Sequence, residues 1–136
     1  MIALSKGIYG KLSGSLLSAH IGNRLFKIQA PAGSEYPYAV YKILNDIPEY
    51  PGPQTIEKFD IQFSLFSSKA SSTEVENMLT DLWTLYDDCV LTVAGYLPIY
   101  FIRGNLNEMR EDHITRSGTM GVYHYAQDYD GWIVKD

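Results

Sequence analysis

Within the stretch 54–88, Phe59, Ile61, Phe63 and Leu65 occupy every second position, with Lys58, Asp60, Gln62 and Ser64 between them. A strand sends successive side chains to opposite faces, so this spacing predicts a sheet with one buried and one wet face. The serine-rich run 67–72 breaks the alternation. Beyond it Val75, Met78, Leu79, Leu82, Trp83 and Tyr86 recur with the 3.6-residue period of a helix. Ser71 and Glu74 have the spacing of a capping box, and Glu74, Glu76 and Asp81 fall largely in the first half, where the helix dipole favours anions. A one-faced strand followed by a one-faced helix predicts an α+β fold. It is read as a single two-layer domain, mainly antiparallel sheet, with an N-terminal and a central helix packed on one face.

The rest of the chain is read around that unit. Residues 2–19 predict a helix, with Leu4, Ile8, Leu12 and Leu16 as its apolar ridge. Ala3, Gly7, Gly10, Gly14 and Ser18 project into a narrow arc beside it. Interior glycines cost roughly 1 kcal/mol each relative to alanine. This smooth strip either lets a neighbouring element or subunit come close or belongs to a poor helix held by its leucines. A short strand over 24–28, a loop over 30–34 and a strand over 36–44 follow. In the last of these Tyr38, Val40 and Lys42 point one way and Ala39, Tyr41 and Ile43 the other. The run 45–53 holds Pro48, Pro51 and Pro53, which predicts an exposed connection outside the ladder. Ile47 and Tyr50 at its tip need cover, from the domain's own edge or from a partner. Strands are expected at 89–93 and 100–106. The charged run 107–118 reads as an extended arm or a hairpin tip. Residues 120–129 alternate again, with Tyr123, Tyr125, Gln127 and Tyr129 on one face and Val122, His124 and Ala126 on the other. Asp130-Gly131 is expected to turn into a short tail, Trp132-Ile133-Val134.

Charge changes this picture more than length does. A net charge of −5 argues against a duplex-binding module. Residues 1–27 carry Lys6, Lys11, Arg24 and Lys27 with no acid, +4, which leaves −9 for the remainder of the −5 total. Such asymmetry orients like subunits or is simply scattered solvated charge. Cys89 is the single cysteine, beside Val90 and Leu91, and reads as a buried structural thiol in a soluble protein kept in a reducing compartment. Eleven tyrosines suit surfaces that are dry on one side and wet on the other, and equally suit sheet packing.

The residues hold no catalytic constellation. His20, His113 and His124 lack metal-ligand spacing, so no metal, cofactor or catalytic residue is assigned. Asp112 and His113 would sit on opposite faces of a strand. The adjacent pairs Asp87-Asp88 and Glu111-Asp112 read as a solvated acidic face. No apolar run approaches a membrane span.

The order of a leading helix, Arg24-Leu25-Phe26, Ala30-Pro31, Tyr36-Pro37-Tyr38-Ala39-Val40, the alternating 59–65 strand, the serine-led helix and a late strand pair ending in 123–129 resembles the tail-completion, or tail-terminator, proteins of long-tailed phages and prophages. The likeness covers roughly residues 8–129. It implies a sheet with helices packed on one side and a virion protein without enzymatic activity, assembled in the host cytoplasm and located at the tail–neck junction. Such proteins form a six-fold ring on the tail tube protein, stop tube growth and join the tail to a head-completion or neck protein. Genomic DNA crosses the ring without sequence-specific binding, and an acidic bore would avoid gripping phosphate. On this reading the axial contacts fall to Ile47, Pro48, Glu49, Tyr50 and Pro51 and to Glu108, Arg110, Glu111 and Asp112. The subunit contact falls to Gly7, Gly10, Lys11 and Gly14 of the first helix and to the sheet edge with Tyr123 and Tyr125. Another neck or tube component, or a small cytosolic ligand-binding domain or enzyme, are the alternatives.

Overall fold

The computed structural model describes residues 2–49, 56–116 and 118–135, apart from the side chains of Ile2, Ala3 and Thr115. Elements follow in the order α1 (Ile2–Leu12), α2 (Leu16–Ile21), β1 (Leu25–Lys27), β2 (Tyr38–Glu49), β3 (Ile56–Ser67), α3 (Thr73–Tyr86), β4 (Val90–Leu91), β5 (Ile99–Thr115) and β6 (Gly118–Val134). They form one six-stranded sheet in the order β1-β2-β3-β6-β5-β4, antiparallel except where β1 joins β2. This is the expected mainly antiparallel α+β architecture.

The predicted alternation sets the two faces. Phe59, Ile61, Phe63 and Leu65 are fully buried beneath the helices, opposite Gly131, Tyr129, Gln127 and Tyr125 of β6. Ala39 and Tyr41 continue that face into β2, and Phe101 continues it into β5. Phe63 stacks on Tyr86 of α3 at 4.7 Å between centroids and meets Tyr129 edge-on at 5.8 Å. Two tyrosines bury their rings and spend their hydroxyls on α1: Tyr86 donates to the Ile8 carbonyl at 2.9 Å and Tyr41 to Ser5 Oγ at 2.9 Å. Both fit the rule that a buried tyrosine hydroxyl finds a partner.

Several local expectations are corrected. The helix read over 2–19 is two helices. Gly14 takes φ +73°, and Ser15 caps α2 by accepting from the Ser18 amide at 3.1 Å. The ridge therefore breaks at Leu16, which is 67% exposed, and Leu17 and Ile21 take over the burial. The capping box at Ser71 does not form. Ser71 Oγ accepts from the Thr73 amide, while Glu74 Oε1 accepts from Ser67 Oγ at 2.7 Å, tying the end of β3 to the start of α3.

The run through Pro48 is not an irregular connection either. β2 extends to Glu49, paired to Ile56. It tolerates Pro48 because β1 covers only residues 39–41, so the outer side of β2 is an edge that needs no donor. The charged segment is, as expected, extended and ends in a hairpin: β5 runs to Thr115, which pairs with Gly118 of β6. The expected tail at Trp132 is a continuation of β6, and Gly131 is a packing glycine rather than a turn: a Cβ there would overlap the Tyr100 carbonyl oxygen and the Phe59 ring.

Candidate functional site

The helices leave one face of the sheet bare, and its chemistry gathers at one end. β5 and β6 run on beyond the last pair with β3, Ser67 with Tyr123, and pair only with each other out to Thr115 and Gly118. Glu111 and His113, two apart on β5, share a face there. Against them lies the segment that returns from β1 to β2. The Tyr36 hydroxyl is 3.0 Å from His113 Nδ1, His113 Nε2 is 3.2 Å from Glu111 Oε2, and His124 Nδ1 is 2.8 Å from Glu111 Oε1.

A carboxylate only accepts, so both imidazoles donate to Glu111, and His113 Nδ1 is left to accept the Tyr36 proton. The hydrogen bond from His124 holds the Glu111 carboxyl below its ordinary range, against a smaller opposing effect of burial, with His113 adding to the lowering. Among the described residues His124 Nε2 is buried without a partner.

Aromatic rings extend the cluster. His124 stacks on Phe66 at 4.3 Å, Phe66 on Tyr38 at 4.9 Å, and Tyr38 meets Tyr36 at 5.0 Å. Burial first, then Tyr36, pushes the Tyr38 hydroxyl up to about 12, so it stays neutral. Tyr38, Phe66, His124, Glu111 and His113 line a cleft of about 410 Å³ together with Ile28, Val40 and Lys42. Ile28 is unusual: φ is +71°, its amide donates to the Tyr41 carbonyl at 2.8 Å, and its side chain is 68% exposed. A β-branched residue in the left-handed region is strained, and such strain persists where the surroundings enforce it.

The other half of the bare face is acidic. Asp60 and Asp130 are cross-strand neighbours; the hydrogen bond with Asp60, then burial, lifts Asp130 to about 6, and the same contact holds Asp60 down. Gln62 donates to Asp128 at 3.0 Å and Asn45 to Asp60 at 3.1 Å. Lys58 lies 6.0 Å over the exposed Trp132 ring. Among the described residues no group of three His, Cys, Asp or Glu could hold a metal ion, and no helix is long and apolar enough to cross a membrane. Cys89 is buried, and burial pushes its thiol up to about 11.

The residues singled out from sequence are distributed as follows. Ile47, Pro48 and Glu49 are exposed at the far end of β2. Tyr50 and Pro51 lie outside the described residues. Glu108, Arg110 and Asp112 are exposed on β5. Glu111, read as part of a solvated acidic face, is instead bound by two histidines. Gly7 is packed against Leu91 and Val93, where a Cβ would stand 3.1 Å from Leu91, whereas a Cβ at Gly10 would meet nothing within 4 Å. Lys11 is half-buried and Gly14 exposed. Tyr123 lies under the Arg110 guanidinium at 4.6 Å, and Tyr125 is in the core.

Register places the two hairpins at opposite ends. Glu49 and Ile56 sit beside Val134, at the end where β5 begins, and the β5–β6 turn lies at the other end. Both sheet edges are largely bare: β1 covers only 39–41 of β2, and β4 pairs only Ile99 and Tyr100 of β5. The histidine–glutamate cluster escaped the sequence reading. Its signal, a Glu-x-His pair on one face, appears only once 107–115 is read as strand.

No protein-family model matches the sequence, and no curated protein matches it. Among solved structures, the chain is similar to one from the "Virion of native gene transfer agent (GTA) particle", with a TM-score of 0.59 over 97% of this chain and 95% of that one. At 12% identity the likeness is one of fold.

Proposed function

We propose that the chain is a non-enzymatic structural component of a phage-like virion, and that it acts as a tail terminator. Copies of it form a six-fold ring on the tail tube protein and meet the head-completion or neck protein above. The observation that carries this reading is the pair of hairpins projecting from opposite ends of a sheet whose two edges are unlike and mostly unpaired. A long bare edge calls for a partner. Contact between unlike edges is heterologous, and it closes into a ring when its rotation allows.

In that ring residues 42–49 of β2 and the outer side of β5 supply the subunit contact, with the exposed Gly10 and the half-buried Lys11 alongside. The two hairpin ends supply the axial contacts. The bare face, with Asp60, Asp128 and Asp130, lines the bore and repels DNA phosphate without reading sequence. The fold shared with a virion chain supports the reading. Negative-stain images of the purified protein test it: closed rings are expected, long tubes would indicate a tube protein, and Lys and Arg dominating the lumen would refute the acidic bore. Deleting residues 49–53 leaves the fold intact and impairs tail joining; unaltered particle assembly would count against the axial assignment.

The Glu111–His113–His124 cleft favours one second reading, a small ligand-binding domain. A ligand retained there by a stable monomer, seen by native mass spectrometry, would establish it in place of the ring.

A further inference from the structure

The two edges of the sheet are stepped, and the steps match. On one side β1 covers residues 39–41 of β2 and leaves 42–49 as a notch. On the other, β4 covers Ile99 and Tyr100 of β5 and leaves the strand beyond them bare. Register carries a level straight across the strands. Ile47 lies opposite Lys58, Lys58 opposite Trp132, Trp132 opposite Tyr100, and Tyr100 opposite Val90. The notch in β2 is therefore level with the projecting β4. By the same count Tyr41 is level with Phe63, Gln127 and Leu106, so the projecting β1 is level with bare β5. In a ring whose hairpins point along the axis, rotation from copy to copy leaves these levels unchanged, and each projection meets the other copy's notch.

Charge is matched at that level. Residues paired across strands share a face, so Asp46, opposite the buried Phe59, turns to the helix layer, and so does Glu57, two residues before Phe59. The hydrogen bond with Asp46, then burial, raises the Glu57 carboxyl, and the amino terminus, the smallest influence, opposes this. Lys42 and Lys58 turn to the bare face, one into the cleft and the other over Trp132. In the helix layer beside β4, Lys6 and Lys11 of α1 line a groove of about 370 Å³ with Val90 and Thr92. Among the described residues neither lysine is in an ion pair. Of the two acids that precede β4, Asp87 is taken by the Tyr129 hydroxyl and Arg103, and Asp88 pairs with neither lysine. We therefore infer that the groove between α1 and β4 receives the Asp46–Glu57 pair of a second copy of this chain, with Lys6 and Lys11 as the answering cations. This inference names the side chains of the subunit contact proposed above and rests on that reading.

Charge exchange tests it, read by sedimentation velocity and negative stain. Lys6→Glu with Lys11→Glu should weaken self-association roughly tenfold or more, and so should Asp46→Lys with Glu57→Lys, because each sets like charges opposite one another. All four changes together should restore it. Asp46→Lys with Glu57→Lys also removes a contact between two acids, so its Tm should stay level or rise. As a second measurement, Ile47→Cys with Val90→Cys, exposed positions on one level, should cross-link copies under mild oxidation, while Ile114→Cys with Val90→Cys should not. A wild type that stays monomeric at millimolar concentration overturns the inference. So do reversals that leave association unchanged, a quadruple variant that does not recover, or equal cross-linking by both cysteine pairs. The two readings fail separately. Rings indifferent to charge exchange sink the groove alone, and charge-dependent association that ends in long tubes sinks the terminator alone.

Discussion

Among the described residues Gln127 is the one long polar side chain in the core, and its replacement by leucine should be felt throughout β5. Gln127 is fully buried; its Oε1 accepts from the Trp83 indole at 2.9 Å, and its Nε2 donates to the carbonyls of Gly104, Asn105 and Asp128 at 3.1, 3.2 and 3.0 Å. It thereby pins the irregularity between Arg103 and Leu106, where β5 slips register against β6, to the helix above. Gln127→Leu keeps the volume, so no cavity term enters. The carbonyls of Gly104 and Asn105 belong to exposed residues and regain water, while the partly buried indole N–H and the Asp128 carbonyl lose a partner. Two such losses at about 1 kcal/mol each predict a net cost of about 2 kcal/mol. For a chain of 136 residues the unfolding entropy is about 0.3 kcal/mol/K, so Tm should fall by about 7 °C in a calorimetric scan. Gln127→Glu should be worse at pH 7, since a carboxylate would face three carbonyl oxygens. Its carboxyl pKa would be raised in the fold, so the stability lost as pH rises through that value returns on acidification. A Gln127→Leu variant within about 1 °C of the wild type, or a Gln127→Glu deficit independent of pH, would refute this account of the core.

The remaining predictions concern the bare face and the first helix. Glu111→Gln should lower Tm at pH 7 by about 3 °C, from a part-exposed charged contact worth about 1 kcal/mol. The folded carboxyl is depressed, so its contribution is present above the ordinary carboxylate range and lost below it; the gap from wild type should close near pH 3, checked by melting across pH. Asp130 is raised to about 6, so the stability it lends is lost as pH rises through that value; Asp130→Asn should stabilise at pH 7.5 by about 0.5 kcal/mol after solvent screening and match wild type near pH 4. A Cβ at Gly10 meets nothing within 4 Å of its own protomer and Gly10→Leu gains about 1 kcal/mol of helix propensity, so a higher Tm with weakened ring assembly in electron micrographs is expected, and unchanged assembly would remove this face from the subunit contact.

How far the sequence could be read depended on which force dominated locally. The strand through Phe59–Leu65 and the helix through Val75–Tyr86 were legible because burial on one face dictates both, and periodicity reports burial. The break at Gly14 was not, since four-residue spacing of leucines continues through Leu16 whether or not the helix does; only φ at Gly14 and the cap at Ser15 end it. Pro48 was read as excluding strand because an interior strand would need its donor; edge position, a property of topology, removes that need. The Glu111–His124 contact joins residues 13 apart through hairpin register, which no local pattern encodes. The same holds for Asp60 with Asp130. The polar chemistry of this protein is therefore written across strands, and its core along them.

The sheet's two bare margins differ in length and sequence, and this gives the molecule a direction. Copies joined margin to unlike margin must all be laid the same way up, as tiles with a tongue and a groove are. Whatever such a course of subunits forms has a distinguishable top and bottom, so each end can be met by a different neighbour without any copy changing its shape.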